Sequence, residues 1–213
     1  MRNIMNLVNL SFNNFLSIKR MALFIVVAFG VASIVNPTFS VMLIGMITYI
    51  VAYQTMAYED SYGIDHMISY LPVTKNEYVI SRYIFCVLII VGAGMLCSLI
   101  FFVSNKVNVV ELRRIDYKTI LYIGTISAVI LISVLIPVLL YFGMKKGRMA
   151  MILIFMIIVM IPSFIIDDVE TTMNILNRLG EKNITLLGGI FTLVILLISY
   201  FIANFLYDRK EII

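Results

Sequence analysis

MALFIVVAFGVASIVNPTFSVMLIGMITYIVAYQTMAY, residues 21–58, contains no charged side chain. A helix needs roughly 20 apolar residues to cross the ~30 Å hydrocarbon core of a bilayer, so this run has the length of two crossings. Asn36-Pro37 lies almost at its midpoint, and proline cannot continue the hydrogen-bond ladder of a preceding helix. We therefore predict two membrane-spanning helices here, over residues 18–35 and 38–57.

The rest of the chain repeats this pattern of apolar runs separated by short charged segments. Its 213 residues are 62% hydrophobic and 13% charged, with a mean hydropathy of +1.05, whereas soluble domains average about 45–50% apolar and about 25% charged residues. Four further charge-free runs predict spans over residues 83–104, 119–143, 149–166 and 185–206. The expected fold class is an all-α membrane protein, with six transmembrane helices in a single domain over residues 1–213.

The distribution of basic residues predicts the orientation, because Lys and Arg are enriched in cytoplasmic loops. Six spans place both termini on one side of the membrane, together with residues 58–82 and 144–148. That side holds ten of the 16 Lys and Arg residues. We therefore expect a multi-pass protein of the cell membrane with both termini in the cytoplasm.

Two stretches outside the spans have the amphipathic pattern of a helix. In the leader, residues 1–17 and the turn that follows, polar and apolar residues gather on opposite sides of a helical wheel. The polar side holds Asn3, Asn6, Asn9, Asn13, Asn14, Ser17 and Arg20, and the apolar side holds Ile4, Leu7, Val8, Phe12, Phe15 and Leu16. This predicts a helix lying in the cytoplasmic interface. A stripe at Val169, Met173, Leu176 and Leu179 predicts a second, short amphipathic helix in an extracellular loop over residues 167–184.

The segment between the second and third spans, residues 58–82, is polar and is here named the connector. Residues 59–70 have the length of about three helical turns, and Leu71-Pro72 ends that helix, because proline disfavours helical geometry in the residue before it. Thr74-Lys75-Asn76-Glu77 is a capping box, which predicts a second helix running into the next span. This helix–break–helix is more than a turn requires, and it favours a surface for a cytoplasmic partner. A solvated loop without a partner is the alternative.

The groups that catalysis or nucleotide binding would need are missing from the sequence. Gly143-Met-Lys-Lys-Gly147 approaches a P-loop but has the wrong spacing and lacks the Ser or Thr. His66 is the only histidine, and too few ligand-type residues surround it for a metal site or a nucleophile–base pair. Apart from Lys19 and Arg20 at the start of the first span, the spans carry no formal charge, which disfavours an intramembrane protease or a proton relay. We expect no enzyme activity, no metal, no cofactor in this chain and no nucleic-acid partner.

Small and polar residues inside the spans have two interpretations. Ser133 and Ser199 could line a transport path, or they could join helices by hydrogen bonds, which is the favoured interpretation. Gly92, Gly94 and Ser98 would let the third span approach a neighbouring helix closely.

An amphipathic leader, six spans and Leu71-Pro-Val-Thr-Lys75 after the second span together resemble the permease subunits of type-2 ABC exporters. In that family this stretch follows a coupling helix that docks on an ATPase. The resemblance implies that residues 60–70 are the coupling helix. It marks seven residues as candidates for ATPase coupling: Glu59, Asp60, Asp65, His66, Tyr70, Pro72 and Lys75.

The same resemblance implies the partners of the chain. These are two copies of an ABC ATPase, which carry the ATP and Mg, and a second copy of this permease or a homologous one in the same membrane lipids. The expected cargo is an amphipathic peptide, moved out of the cell. The alternatives are an exporter of small antibiotics or lipids, and a stand-alone membrane immunity or sensor protein without an ATPase.

Overall fold

The computed structural model describes residues 2–17, 20, 23–24, 26–28, 30–31, 37–64, 67, 70, 72–106, 117–165 and 181–209. Its helices are α1 (Arg2–Ser17), α2 (Pro37–Ser61), α3 (Lys75–Lys106), α4 (Tyr117–Ile165) and α5 (Glu181–Asp208). No β-strand occurs within these ranges. The predicted all-α class is therefore confirmed for this part of the chain.

Three of the described helices are long and apolar enough to cross a membrane, over Lys75–Val103, Tyr117–Met144 and Thr185–Asp208. They coincide with the predicted spans 83–104, 119–143 and 185–206. The predicted span 38–57 lies inside α2, whose first residue is Pro37, where a missing N–H costs a helix nothing.

The other predicted segments are described less completely. Span 149–166 overlaps the end of α4, whereas most of span 18–35 and of the loop 167–184 lies outside the described residues. The count of six spans stays a prediction.

The centre of the bundle lies between α2 and α4. Leu43 and Ile44 of α2 and Leu135 and Ile136 of α4 are fully buried. A Cβ atom on Gly45 of α2 would lie 2.7 Å from the Ser127 Oγ of α4. The missing side chain at Gly45 therefore sets how closely these two helices pack. α3 contacts both, α1 packs on α2 and α3, and α5 packs on α3 and α4.

The outward faces of α3 and α5 are apolar and exposed, at residues such as Val91, Leu99, Leu193 and Phe201. A soluble monomer rarely exposes so large an apolar surface, whereas the hydrocarbon core of a bilayer would cover it. The predicted close packing at Gly92 and Gly94 is wrong within the described chain, because a Cβ at either position would have no neighbour within 4 Å.

A proline in α4 explains a hydrogen-bond chain that joins three helices inside the membrane. Pro137 has no N–H to donate to the Ser133 carbonyl one turn earlier. The Ser199 hydroxyl of α5 donates to that carbonyl instead, at 2.7 Å. Because its only proton is used there, Ser199 accepts from the Tyr83 hydroxyl of α3, at 2.6 Å. Ser199 thus joins helices, as predicted, with a contribution of about 0.6–1.7 kcal/mol per bond.

Candidate functional site

The connector leaves α2 and enters α3 through two capped helix ends. α2 ends at Ser61, and Gly63 follows with a φ of 63°, which is the left-handed conformation that glycine adopts readily after a helix. Beyond it, the Met67 N–H donates to the Gly63 carbonyl and the Tyr70 N–H to the Met67 carbonyl, at 3.3 and 3.2 Å. The predicted single helix over residues 59–70 is therefore wrong, because Gly63 adds a break within it.

The capping box at the start of α3 is confirmed. The Glu77 N–H donates to the Thr74 Oγ1 at 3.2 Å, and the Thr74 N–H donates to a Glu77 carboxylate oxygen at 3.1 Å. These reciprocal bonds satisfy two of the N–H groups that a helix start leaves without a partner. The connector therefore passes into α3 through a well-defined helix start.

A buried ion pair joins the two ends of the connector. Arg82 of α3 and Glu59 of α2 are 1% and 3% exposed, and the Arg82 Nη1 lies 2.6 Å from the Glu59 Oε1. The same nitrogen donates to the Ser11 Oγ of α1, and the Asn14 side chain donates to the Glu59 Oε1 at 3.0 Å. The Arg82 guanidinium also lies 4.4 Å from the centre of the Tyr78 ring. Among the described residues the Arg82 Nε and Nη2 are buried without a hydrogen-bond partner, so the opposite charge of Glu59 is the main compensation for burying the guanidinium.

This network changes the interpretation of the leader. α1 is helical as predicted, but Ser11 and Asn14 face the bundle and are buried with Leu7 and Val8. The prediction that placed Asn14 on the solvated side is wrong, because Glu59 offers it a buried acceptor. On the outer side of α1, the apolar residues Met5, Phe12 and Leu16 are exposed, which suits a helix at a membrane interface.

Three further hydrogen bonds brace the connector end of α3. The Asn3 side chain donates to the Pro72 carbonyl at 3.4 Å. The Lys75 Nζ donates to the Asp208 carbonyl at 2.9 Å, at the end of α5 where helix carbonyls have no intrahelical partner. Tyr200 of α5 donates to the Asn76 side chain. The connector is therefore attached to α1 and α5 as well as to the helices it joins.

A contact with α4 completes this bracing. α4 is interrupted at Gly143, and the Met144 N–H donates to the Asp60 Oδ2 at 3.3 Å. Residues 144–148, predicted as a loop, are helical, because a single glycine makes the turn that the loop was expected to provide.

The outer surface of the connector is aromatic and apolar. Tyr70 is 89% exposed, Tyr62 66% and Met67 64%, and the Tyr58 and Tyr62 rings lie 4.5 Å apart between centres. Large exposed side chains of this kind, on a braced polar base, are typical of the centre of a protein–protein contact. We name Tyr62, Met67 and Tyr70 the exposed patch.

The residues predicted from the sequence thus separate into two groups. Tyr70 and Pro72 are exposed on the connector, whereas Glu59 and Lys75 form bonds within the chain. Asp60 is exposed and also accepts a hydrogen bond within the chain. Asp65 and His66 lie outside the described residues. Sequence reasoning missed Arg82, Ser11 and Gly143; the opposite charges of Glu59 and Arg82 at the two ends of the connector were the one available signal.

Comparison with known proteins gave one match. A family model described as ABC-2 family transporter protein matches residues 9–208, which include four of the five described helices in full and most of α1. Neither the curated proteins nor the solved structures gave a match.

Proposed function

Because the chain belongs to the ABC-2 family of transporter proteins, we propose that it is the membrane-spanning permease subunit of an ATP-driven exporter. A separate ABC ATPase chain, present in two copies, binds ATP together with Mg and hydrolyses the ATP. The permease pairs with a second copy of itself or with a homologous permease. The chain is then a transport component with no catalytic centre of its own.

The observation that carries this proposal is the exposed patch on a braced base. Tyr70 is 89% exposed, while the two ends of the connector are joined by the buried Glu59–Arg82 pair. A force applied to the connector would therefore reach α1, α4 and α5 through the bonds already described. A segment that transmits ATP-driven motion needs a surface that binds the ATPase and a rigid support beneath that surface, and the connector has both.

The proposed orientation places the connector in the cytoplasm, where an ATPase is found. The excess of Lys and Arg on the side of the termini supports this placement.

The proposed cargo is an amphipathic peptide. The connector sequence resembles that of a membrane subunit of the staphylococcal exporter of phenol-soluble modulin peptides, and the cargo is proposed on that resemblance. A peptide with an apolar face would enter sideways from the inner leaflet, among the lipids that cover α3 and α5.

The test is purification of the tagged chain from its native membrane in a mild detergent. We expect an ABC ATPase to copurify. Replacing Tyr62 and Tyr70 with alanine should lower the recovered ATPase at least tenfold, because loss of a central aromatic contact weakens an interface by about 2 kcal/mol or more.

Phe191→Ala is the matched control for this experiment. Phe191 is also an exposed aromatic residue, 60% exposed. It lies 17 residues before Asp208, the end of α5 that Lys75 contacts. The control should retain the ATPase. If the chain emerges alone from every gentle detergent, it is a stand-alone membrane protein and the transporter proposal is wrong.

A further inference from the structure

The interruption of α4 creates a helix start in the middle of the chain's longest helix. Gly143 has φ 66° and ψ 179°, a combination that is essentially restricted to glycine. The helix resumes at once with Met144, so the N–H groups of its first turn have no carbonyl one turn earlier to receive them. Gly143 has no side chain that could act as a cap.

Asp60 supplies the missing cap from another helix. Its Oδ2 accepts from the Met144 N–H at 3.3 Å, and its Oδ1 lies 3.5 Å from the position that a Cβ on Gly143 would take. An aspartate is among the best acceptors at a helix start, and its negative charge is favourable at the positive end of the helix dipole. The second half of α4, residues 144–165, is therefore capped by the last turn of α2.

Adjacent residues of α2 face different parts of the bundle. Glu59 accepts hydrogen bonds from Arg82 of α3 and Asn14 of α1. Asp60 instead accepts from the Met144 N–H, where α4 restarts after Gly143. A cavity bordered by Met56, Tyr78, Leu139 and Met144 lies against this junction.

We propose that Asp60 is a positioning residue, which transmits movement of the connector to residues 144–165, with Gly143 as the hinge. The direction of transmission rests on the proposed function, in which an ATPase moves the connector. The mechanical part rests on the contacts of Asp60: one hydrogen bond to a backbone N–H couples α2 to the segment that restarts after Gly143.

The experiment measures how firmly residues 144–165 are held. Spin labels are attached at Val91 of α3 and Ile152 of α4, which are 49% and 51% exposed, in the full chain reconstituted in lipid nanodiscs. The distance distribution between the labels is then compared among variants. Asp60→Asn keeps an acceptor oxygen and should preserve the wild-type width. Asp60→Ala removes the acceptor and should broaden the distribution at least twofold.

Two further variants separate positioning from general damage. Asp208→Ala removes another exposed carboxylate and should leave the width unchanged. Gly143→Ala places a Cβ in a backbone conformation reserved for glycine and should shift the mean distance even where Asp60→Ala proves hard to purify. An unchanged width in Asp60→Ala, or equal broadening in Asp60→Asn, would overturn the proposal.

Adding the copurified ATPase and ATP extends the test. A nucleotide-dependent shift in the Val91–Ile152 distance should occur in the wild type and in Asp60→Asn, and should be lost in Asp60→Ala. If no ATPase binds, the proposed function fails while the width measurement still decides the role of Asp60. If the shift persists in Asp60→Ala, the transmission role is wrong even though the exporter assignment stands.

Discussion

Arg82→Met is expected to lower the free energy of unfolding by about 3–5 kcal/mol, because it leaves the Glu59 carboxylate buried without its counter-charge. Methionine matches much of the length of the Arg82 side chain, so loss of packing contributes little. Among the described residues, Asn14 would remain as the donor to Glu59. Unfolding in mixed micelles with increasing SDS, followed by circular dichroism, measures the change.

The double variant Glu59→Leu with Arg82→Met identifies the cause. Replacing both members of a buried pair with apolar residues is often close to neutral, so the double variant should recover most of the loss. Arg20→Met removes an exposed arginine instead of a buried one and should cost little stability. If Arg82→Met is no worse than Arg20→Met, Arg82 and Glu59 do not form a buried pair in the membrane.

Gly45→Leu is expected to cost about 1–3 kcal/mol or more, because it forces a side chain into the closest approach of α2 and α4. The first added carbon would already lie 2.7 Å from the Ser127 Oγ, and that hydroxyl is held by the Gly124 carbonyl at 2.8 Å. The same unfolding measurement reports the effect.

Gly92→Leu provides the matched control in the same chain. A Cβ there meets no atom within 4 Å, and leucine has a higher helix propensity than glycine, by up to about 1 kcal/mol. This variant should be neutral or slightly stabilised. Equal losses at both positions would contradict the packing of α2 against α4 described above.

Features that depend on neighbouring residues in sequence could be predicted well. Charge-free runs gave the positions of helices, since burying a charge in hydrocarbon is costly whatever the tertiary structure. The start of α2 at Pro37 and the Thr74–Glu77 capping box follow from local backbone chemistry. Tyr70 is exposed, and its role as a contact stays a prediction.

Features that depend on which helices meet could not be predicted. Asn14 looks like a solvated residue on a wheel, and only the approach of Glu59 makes it a buried donor. Gly45 and Gly92 both lie in apolar runs, and the sequence does not distinguish them. In the structure Gly92 faces outward, whereas Gly45 contacts α4. The sequence predicts that a span ends at Gly143, because nothing local distinguishes a helix that stops from one that restarts after a single residue.

Side-specific labelling of Tyr70→Cys tests most directly whether the connector faces an intracellular ATPase. Cys86 and Cys97 are buried, so background labelling should be low. A membrane-impermeant maleimide should leave this cysteine unlabelled in intact cells, label it in inverted vesicles, and label it several-fold less when the ATPase is bound. Asn108→Cys, in the loop predicted on the opposite side, should show the reverse pattern in cells and vesicles. Labelling of Tyr70→Cys in intact cells, to the same extent as Asn108→Cys, would contradict the proposed coupling.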